Sequence, residues 1–469
     1  MESFSYRNGE LYCEDTPLRV IADAIGTPTY VYSRRAIIEN FTAYRRALAS
    51  VPHVICYSMK ANGNLALLAL LARAGSGADV LSGGELFRAL TAGVDPGKVV
   101  FAGVGKQPAE MREALKAGIL MFNVESSAEL RQLDRVAQEL GVKAPVALRV
   151  NPDVDPETHP YIATGLRSSK FGIPISRATA EYAAATRLPG IEVVGVHMHI
   201  GSQLTKISPY ADSLSRVADL VETLRDRGIP IRYLDVGGGL GIRYKDETPP
   251  SQADLGAVLL PVVQRLGVTL ILEPGRSIVG NAGALLTRVL YLKETDSKRF
   301  VIVDAAMNDL IRPSLYGAYH EIMYVRAPDG RPSTVVDVVG PICESGDFLA
   351  KDRELPEAAE DDLLAVMSAG AYGFAMASNY NARPRAAEVL VDKSRYSVVR
   401  QRETYENLIA GESLPSEGGE PPFRASPRSS SVTGSAMPRG RPPGARVPSK
   451  LRGQSPRSKE TKSRRKKEG

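Results

Sequence analysis

His53-Val54-Ile55-Cys56-Tyr57-Ser58-Met59-Lys60-Ala61-Asn62 is an apolar, β-branched run that stops at a lysine. It reads as a short buried strand over 53–59, after which Gly63-Asn64 opens a helical pattern at Leu65, Leu67, Leu68, Leu70 and Leu71. Lys60 therefore stands where a strand has ended and a helix has not begun. In a β/α barrel that end of the strand is the working face. A lysine held among barrel walls can have its pKa lowered and form a Schiff base with a carbonyl. The plainer reading is a surface lysine at a strand end, so the surroundings have to decide.

The surroundings repeat the unit. Strands are expected at 53–59, 78–81, 98–101, 120–124, 146–150, 191–199, 233–236 and 269–273, with helical patterns such as 128–140 and 211–227 between them. Alternating strands and helices imply a parallel sheet, and eight units predict an α/β fold closed into a (β/α)8 TIM-type barrel. A doubly wound open sheet is the alternative. After Arg276 the pattern changes to β-rich runs at 285–292, 300–303, 334–339, 363–368, 388–391 and 396–399. They predict a mostly β C-terminal domain. Upstream, Asn8-Gly9 between two short apolar runs signals a hairpin, a short helix ends at Gly26, and Ser33 is placed to cap a helix reaching about Ser50. The expected domains are 1–26, a β segment joining the β domain; 27–276, the barrel; 277–410, the β domain; and 411–469, a tail.

The net charge of +6 belongs to that tail. From Gly411 onward there are 14 Lys/Arg against 5 Asp/Glu, leaving 45 against 48 and a net of −3 for residues 1–410. Rich in Pro, Ser, Gly and Arg, the tail cannot bury enough surface to offset its ordering entropy, and disorder is expected. Basic disordered segments bind polyanions weakly, and a solvated extension with no partner is the simpler expectation. No apolar run is long enough to span a membrane, and Met1-Glu2-Ser3-Phe4-Ser5 lacks the start of a signal peptide. Cys13, Cys56 and Cys343 show no paired or metal-ligand spacing, which points to a reduced, cytoplasmic protein.

Polar, chemically competent residues recur at the expected strand ends: Lys60, Asp79, Arg149, His197 and His199, Gly237-Gly238-Gly239, and Glu273. The glycines suit a phosphate cradle, since backbone N–H groups can wrap an anion there. They do not make a dinucleotide fingerprint, because no helix opens directly after them. His197-Met198-His199 puts two imidazoles on one side of a strand. A metal site is the rival reading, but no compact set of further ligands accompanies the pair, and a ring stacked on a flat cofactor suits one of them. Glu273-Pro274-Gly275-Arg276 places a carboxylate and a guanidinium together; a structural ion pair is the plain reading, and opposite a cofactor the carboxylate could keep a ring nitrogen protonated while the arginine binds a substrate carboxylate. Later, Arg312-Pro313-Ser314-Leu315-Tyr316, Cys343-Glu344-Ser345-Gly346-Asp347 and Ala369-Gly370-Ala371-Tyr372-Gly373 stand out, with Cys343 a candidate acid.

Taken in order, these motifs resemble diaminopimelate decarboxylase, a pyridoxal 5′-phosphate enzyme of the alanine-racemase-like barrel class, over roughly residues 5–410. The resemblance implies decarboxylation of meso-2,6-diaminopimelate to L-lysine, the last step of lysine biosynthesis. Decarboxylases of ornithine, arginine or carboxynorspermidine are the alternative, and a barrel metallohydrolase built on His197 and His199 is a more distant one. It further implies that Lys60 carries the cofactor, His199 stacks on its ring, and Asp79 lines the cofactor site. Ser202, Gly237, Gly238, Gly239, Gly275 and Arg276 would hold the phosphate, and Glu273 would face the ring nitrogen. Arg276, Arg312, Tyr316 and Glu344 would grip the distal end of the substrate, Tyr372 would touch cofactor and substrate, and Cys343 would donate the proton. The resemblance also implies a homodimer with active sites shared between subunits.

Overall fold

The computed structural model describes residues 3–154 and 170–415. The tail expected from Gly411 lies, from residue 416 on, outside the described residues.

Eight short strands alternate with helices and close on themselves: His53–Ser58, Gly77–Val80, Val99–Phe101, Met121–Val124, Ala144–Asn151, Ile191–His197, Tyr233–Asp235 and Thr269–Leu272. Every neighbouring pair is parallel, and the eighth strand returns to the first through Leu270–His53 and Leu272–Ile55. Closure excludes the open sheet. The helices begin where capping residues allow. Ser33, Asn64, Ser82 and Ser126 each accept a backbone N–H from the first turn of the helix that follows.

Inside the barrel the strand period of two sorts the chemistry. Cys56, Val100, Met121, Ala147, Val194 and Ile271 form one buried apolar layer. Two residues further along four of those strands, on the same inward face, stand Ser58, Asn123, Arg149 and Glu273. The barrel is thus plugged by hydrocarbon at one level and polar at the next.

The second sheet runs in the order Phe348–Pro356, Ser333–Val339, Arg299–Val303, Gly283–Glu294, Thr29–Ser33, Ala387–Asp392, Arg395–Arg400. Thr29–Ser33 lies inside the 27–276 span expected for the barrel, yet it pairs antiparallel with Gly283–Leu286 and parallel with 387–391. All five of its residues are buried, as befits a central strand, and buried composition alone does not say which sheet a strand enters. The first three strands, Phe4–Arg7, Glu10–Cys13 and Thr16–Pro17, make a small sheet of their own. Leu11 N donates to Val325 O (2.8 Å) and ties it to the β-rich part. No helix among the described residues is long and apolar enough to cross a membrane.

Glu388, buried in the second sheet, accepts from Tyr32 Oη (2.7 Å) and from Asn64 Nδ2 (3.0 Å), four residues past Lys60. This carboxylate therefore joins the sheet to the loop that carries the lysine. Glu388→Ala would strand a buried hydroxyl and a buried amide, each worth roughly 1–3 kcal/mol when unpaired. A drop of that order should appear in urea unfolding monitored by far-UV circular dichroism; an unchanged midpoint would show the link to be dispensable.

Candidate active site

The polar layer opens into a cavity of about 430 Å³ at the carboxyl ends of the strands. Lys60, His197, His199, Ser202, Glu273, Arg276, Arg312, Tyr316 and Tyr372 line it, so residues of the barrel meet there with residues of the β-rich part that follows it. Lys60 lies in a single 3₁₀ turn, Met59–Ala61, between the first strand and the next helix. Its Nζ is 3.7 Å from Asp79 Oδ2, which also accepts from Ser58 Oγ (2.7 Å). Burial opposes the charge on Lys60, but Asp79, Tyr372 and Glu273 outweigh it and hold the pKa above its ordinary value. That reverses the lowering expected from position alone: the barrel wall around this lysine is acidic, not apolar.

Three buried groups, His197, Asp235 and Glu273, place ligand-type atoms within 4.8 Å of one another. His199, the other half of the expected pair, turns away, and its Nδ1 accepts from Gly238 N (3.2 Å). Among the described residues, no such group includes His199 together with His197. Asn123 Nδ2 bridges Asp235 Oδ2 and Glu273 Oε1 at 3.0 Å each. Burial works against charge on Glu273, but His197 and Lys60 keep its carboxyl well below the usual range. Asp235, buried beside that charge, is pushed well above. The two carboxyl groups, joined through Asn123, titrate as a coupled pair at the floor of the cavity, with His197 and Lys60 favouring charge on Glu273. Burial, with the charges of Lys60 and Arg149 adding to it, keeps the His199 imidazole neutral.

The glycine turn is tight for a geometric reason. Gly237 and Gly239 have φ of +68° and +114°, and a Cβ on Gly237 would sit 2.6 Å from His199 Nδ1. Gly275 is as confined: a Cβ there would meet Ala61 Cβ at 3.0 Å. Beside the turn, Arg276 donates to Ser202 Oγ (3.0 Å) and to Tyr244 Oη (2.6 Å). Tyr372 holds a left-handed φ of +56°, with its N–H on Ala61 O (2.8 Å) and its ring 4.7 Å from the Arg276 guanidinium. That strain sets a phenol directly across from the lysine turn.

Asp79, Gly237, Gly238, Gly239 and Gly275 are expected site residues that are not among the lining of this cavity, and neither are Cys343 and Glu344. The last two are exposed, on a turn whose Cys343 N–H donates to Asn381 Oδ1 (2.9 Å). The cavity also gathers residues given no role from sequence, among them Gln203, Tyr244 and Tyr319. Asp235 and Asn123 were findable, since both are polar residues one short of the ends of expected strands. The others stand in loops and carried no local signal.

Residues 34–280 match the family described as pyridoxal-dependent decarboxylase, pyridoxal binding domain. The chain is 59% identical over 414 residues to a diaminopimelate decarboxylase of Pseudomonas aeruginosa, covering 88% of this chain and 99% of that one. It is 53% identical to one of Aquifex aeolicus, covering 86% and 96%. The crystal structure of diaminopimelate decarboxylase from Helicobacter pylori complexed with L-lysine superimposes with a TM-score of 0.81 at 44% identity, covering 84% of this chain and 98% of that chain. The chain belongs to the diaminopimelate decarboxylases, pyridoxal-dependent enzymes.

Proposed function

We propose that the cavity holds pyridoxal 5′-phosphate on Lys60 and takes the amino-acid end of meso-2,6-diaminopimelate, which loses CO2 and leaves as L-lysine. The observation that carries this reading is the meeting, in one cavity, of a lysine amine, the buried carboxylate of Glu273 and two arginines. The donor set fits the cofactor. Among the described residues, buried Asp79 Oδ1 and both ring nitrogens of His197 lack hydrogen-bond partners, so the floor has polar capacity to spare. Glu273 would supply the charge that keeps a proton on the ring nitrogen, and neutral His199 would help to hold the ring. Ser202, Arg276, Gly275 and the Gly237–Gly239 turn surround the phosphate, with Asp79 orienting Lys60.

When bound, pyridoxal phosphate supplies the electron sink for the pair left behind by departing CO2. The chain's own residues do the selecting and the proton handling. Arg276, Arg312, Tyr316 and Tyr372 orient the substrate so that its distal carboxylate lies on guanidinium. Ornithine and arginine have no such carboxylate, which favours diaminopimelate over them. Cys343 would donate the proton that takes the place of the departing carboxylate, and Glu344 would contact the substrate. Since both are exposed and outside the cavity of their own chain, they serve the site of a second copy in a homodimer.

We take the barrel to run from about Arg34 to Arg276. The β domain then comprises 29–33 and 277–410, with 1–26 attached, and the three free cysteines accord with a reduced cytoplasm.

The direct test is the product formed from meso-diaminopimelate with and without added cofactor. L-Lysine that depends on pyridoxal phosphate is expected; faster turnover of ornithine would transfer the reading to the alternative. Arg312→Ala should lower kcat/KM for diaminopimelate by an amount equivalent to roughly 2–5 kcal/mol of lost stabilisation while leaving cofactor affinity near its starting value. Unchanged kinetics would remove Arg312 from the substrate.

A further inference from the structure

Arg312 enters the cavity from a five-residue helix, Arg312–Tyr316. Aromatic rings flank its guanidinium, Tyr244 at 5.0 Å and Tyr316 at 5.8 Å. Such contacts favour a plane but leave the hydrogen-bonding edge undetermined. A polar contact determines it: Arg312 Nε donates to His320 Nε2 at 3.3 Å.

The direction of that bond follows from the other side of the imidazole. His320 Nδ1 lies 2.8 Å from Met367 O, and a carbonyl can only accept, so Nδ1 carries the proton and Nε2 the lone pair. The ring is clamped in this orientation. It meets the Tyr244 ring edge-on at 5.3 Å, and the His320 carbonyl accepts from Arg353 Nη1 (2.9 Å). Burial and the adjoining Arg312 charge bring its pKa down to about 3, so the imidazole is neutral wherever the enzyme works. A protonated ring would turn an N–H against an N–H.

We propose that His320 is a positioning residue for substrate selection. By occupying Nε it turns the Nη1/Nη2 edge of Arg312 into the cavity, for an end-on grip on the distal carboxylate. This rests on Arg312 being the carboxylate-binding residue. A ligand without that carboxylate, such as 1,5-diaminopentane, gains nothing from the arrangement, whereas diaminopimelate and L-lysine both do.

Two variants separate the roles of the ring nitrogens. In His320→Asn the amide NH2 can still reach Met367 O, but the acceptor for Arg312 is gone. His320→Gln puts a carbonyl oxygen near the place of Nε2 and restores it. With holoenzyme, His320→Asn should raise KM for diaminopimelate and weaken L-lysine inhibition by roughly tenfold, with kcat changed less than about threefold. Inhibition by 1,5-diaminopentane should shift less than about twofold, and His320→Gln should return the L-lysine value to within about threefold of the parent. A purely structural histidine would weaken both inhibitors alike, and that result overturns the proposal. If His320→Asn does not retain cofactor, His320→Gln decides: near-parental L-lysine inhibition supports the proposal and its loss overturns it. Arg312→Ala serves as the control. If it leaves L-lysine inhibition intact, the assignment of Arg312 itself has failed; if it abolishes inhibition while His320→Asn does nothing, only the role of His320 has.

Discussion

Lys60→Ala is expected to abolish decarboxylation, by on the order of a thousandfold or more, and to remove the visible absorbance of the lysine-bound cofactor. The expected loss is large because no other lysine lines the cavity among the described residues. The variant should nevertheless fold. Removing the amine leaves Asp79 buried without its cation, but burial and Glu273 already hold the Asp79 carboxyl at about 6. Without Lys60 its pKa rises further, and at neutral pH the group takes up a proton instead of remaining a stranded charge. Near-parental thermal unfolding alongside lost absorbance is therefore the expected pair of results. If absorbance survives dialysis and borohydride reduction labels a different lysine, the assignment of Lys60 is wrong.

Mixing two dead variants should restore activity. Lys60 lines the cavity of its own chain, whereas Cys343 stands exposed elsewhere on it. In a two-fold dimer with shared sites, each cavity would draw its lysine from one chain and its thiol from the other. Lys60→Ala and Cys343→Ala chains, each nearly inactive, would then form hybrids with one intact site and one doubly disabled site. Equal mixing makes half the dimers hybrid, so about a quarter of parental activity should return. The measurement is activity against the hybrid fraction, followed by mass or by tag. Confirmed exchange with no recovery would leave Cys343 acting within its own subunit, or not at all.

The parts of the fold that could be read from sequence were those with a repeating physical cause. The eight barrel strands announce themselves because each is short, apolar and followed by a helix. The strand Phe348–Pro356 carries Lys351, Asp352, Arg353 and Glu354 in a row and so reads as a polar loop; it forms because Ser333–Val339 pairs with it. Ile322–Tyr324 is three residues long, below what a pattern can show. Within the cavity, residues at strand ends were legible: Lys60, Glu273 and the histidines. Tyr244 and His320 arrive on irregular loops, where no periodicity points inward. The pKa of Lys60 ran opposite to expectation because it depends on two carboxylates, from the second and eighth strands, meeting one amine in space.

The strand Thr29–Ser33 also bears on how the chain is made. It is hydrogen-bonded on one side to 283–286 and on the other to 387–391. During synthesis it leaves the ribosome before any barrel strand, and its second neighbour only after all eight of them. The barrel between them can close beforehand from contacts local to it, but this strand keeps an open, apolar edge until then. An edge of that kind is a template for pairing with other chains. Translation pauses or truncation before residue 387 would thus expose nascent chains to aggregation, and a finished C-terminal hairpin is what seals them.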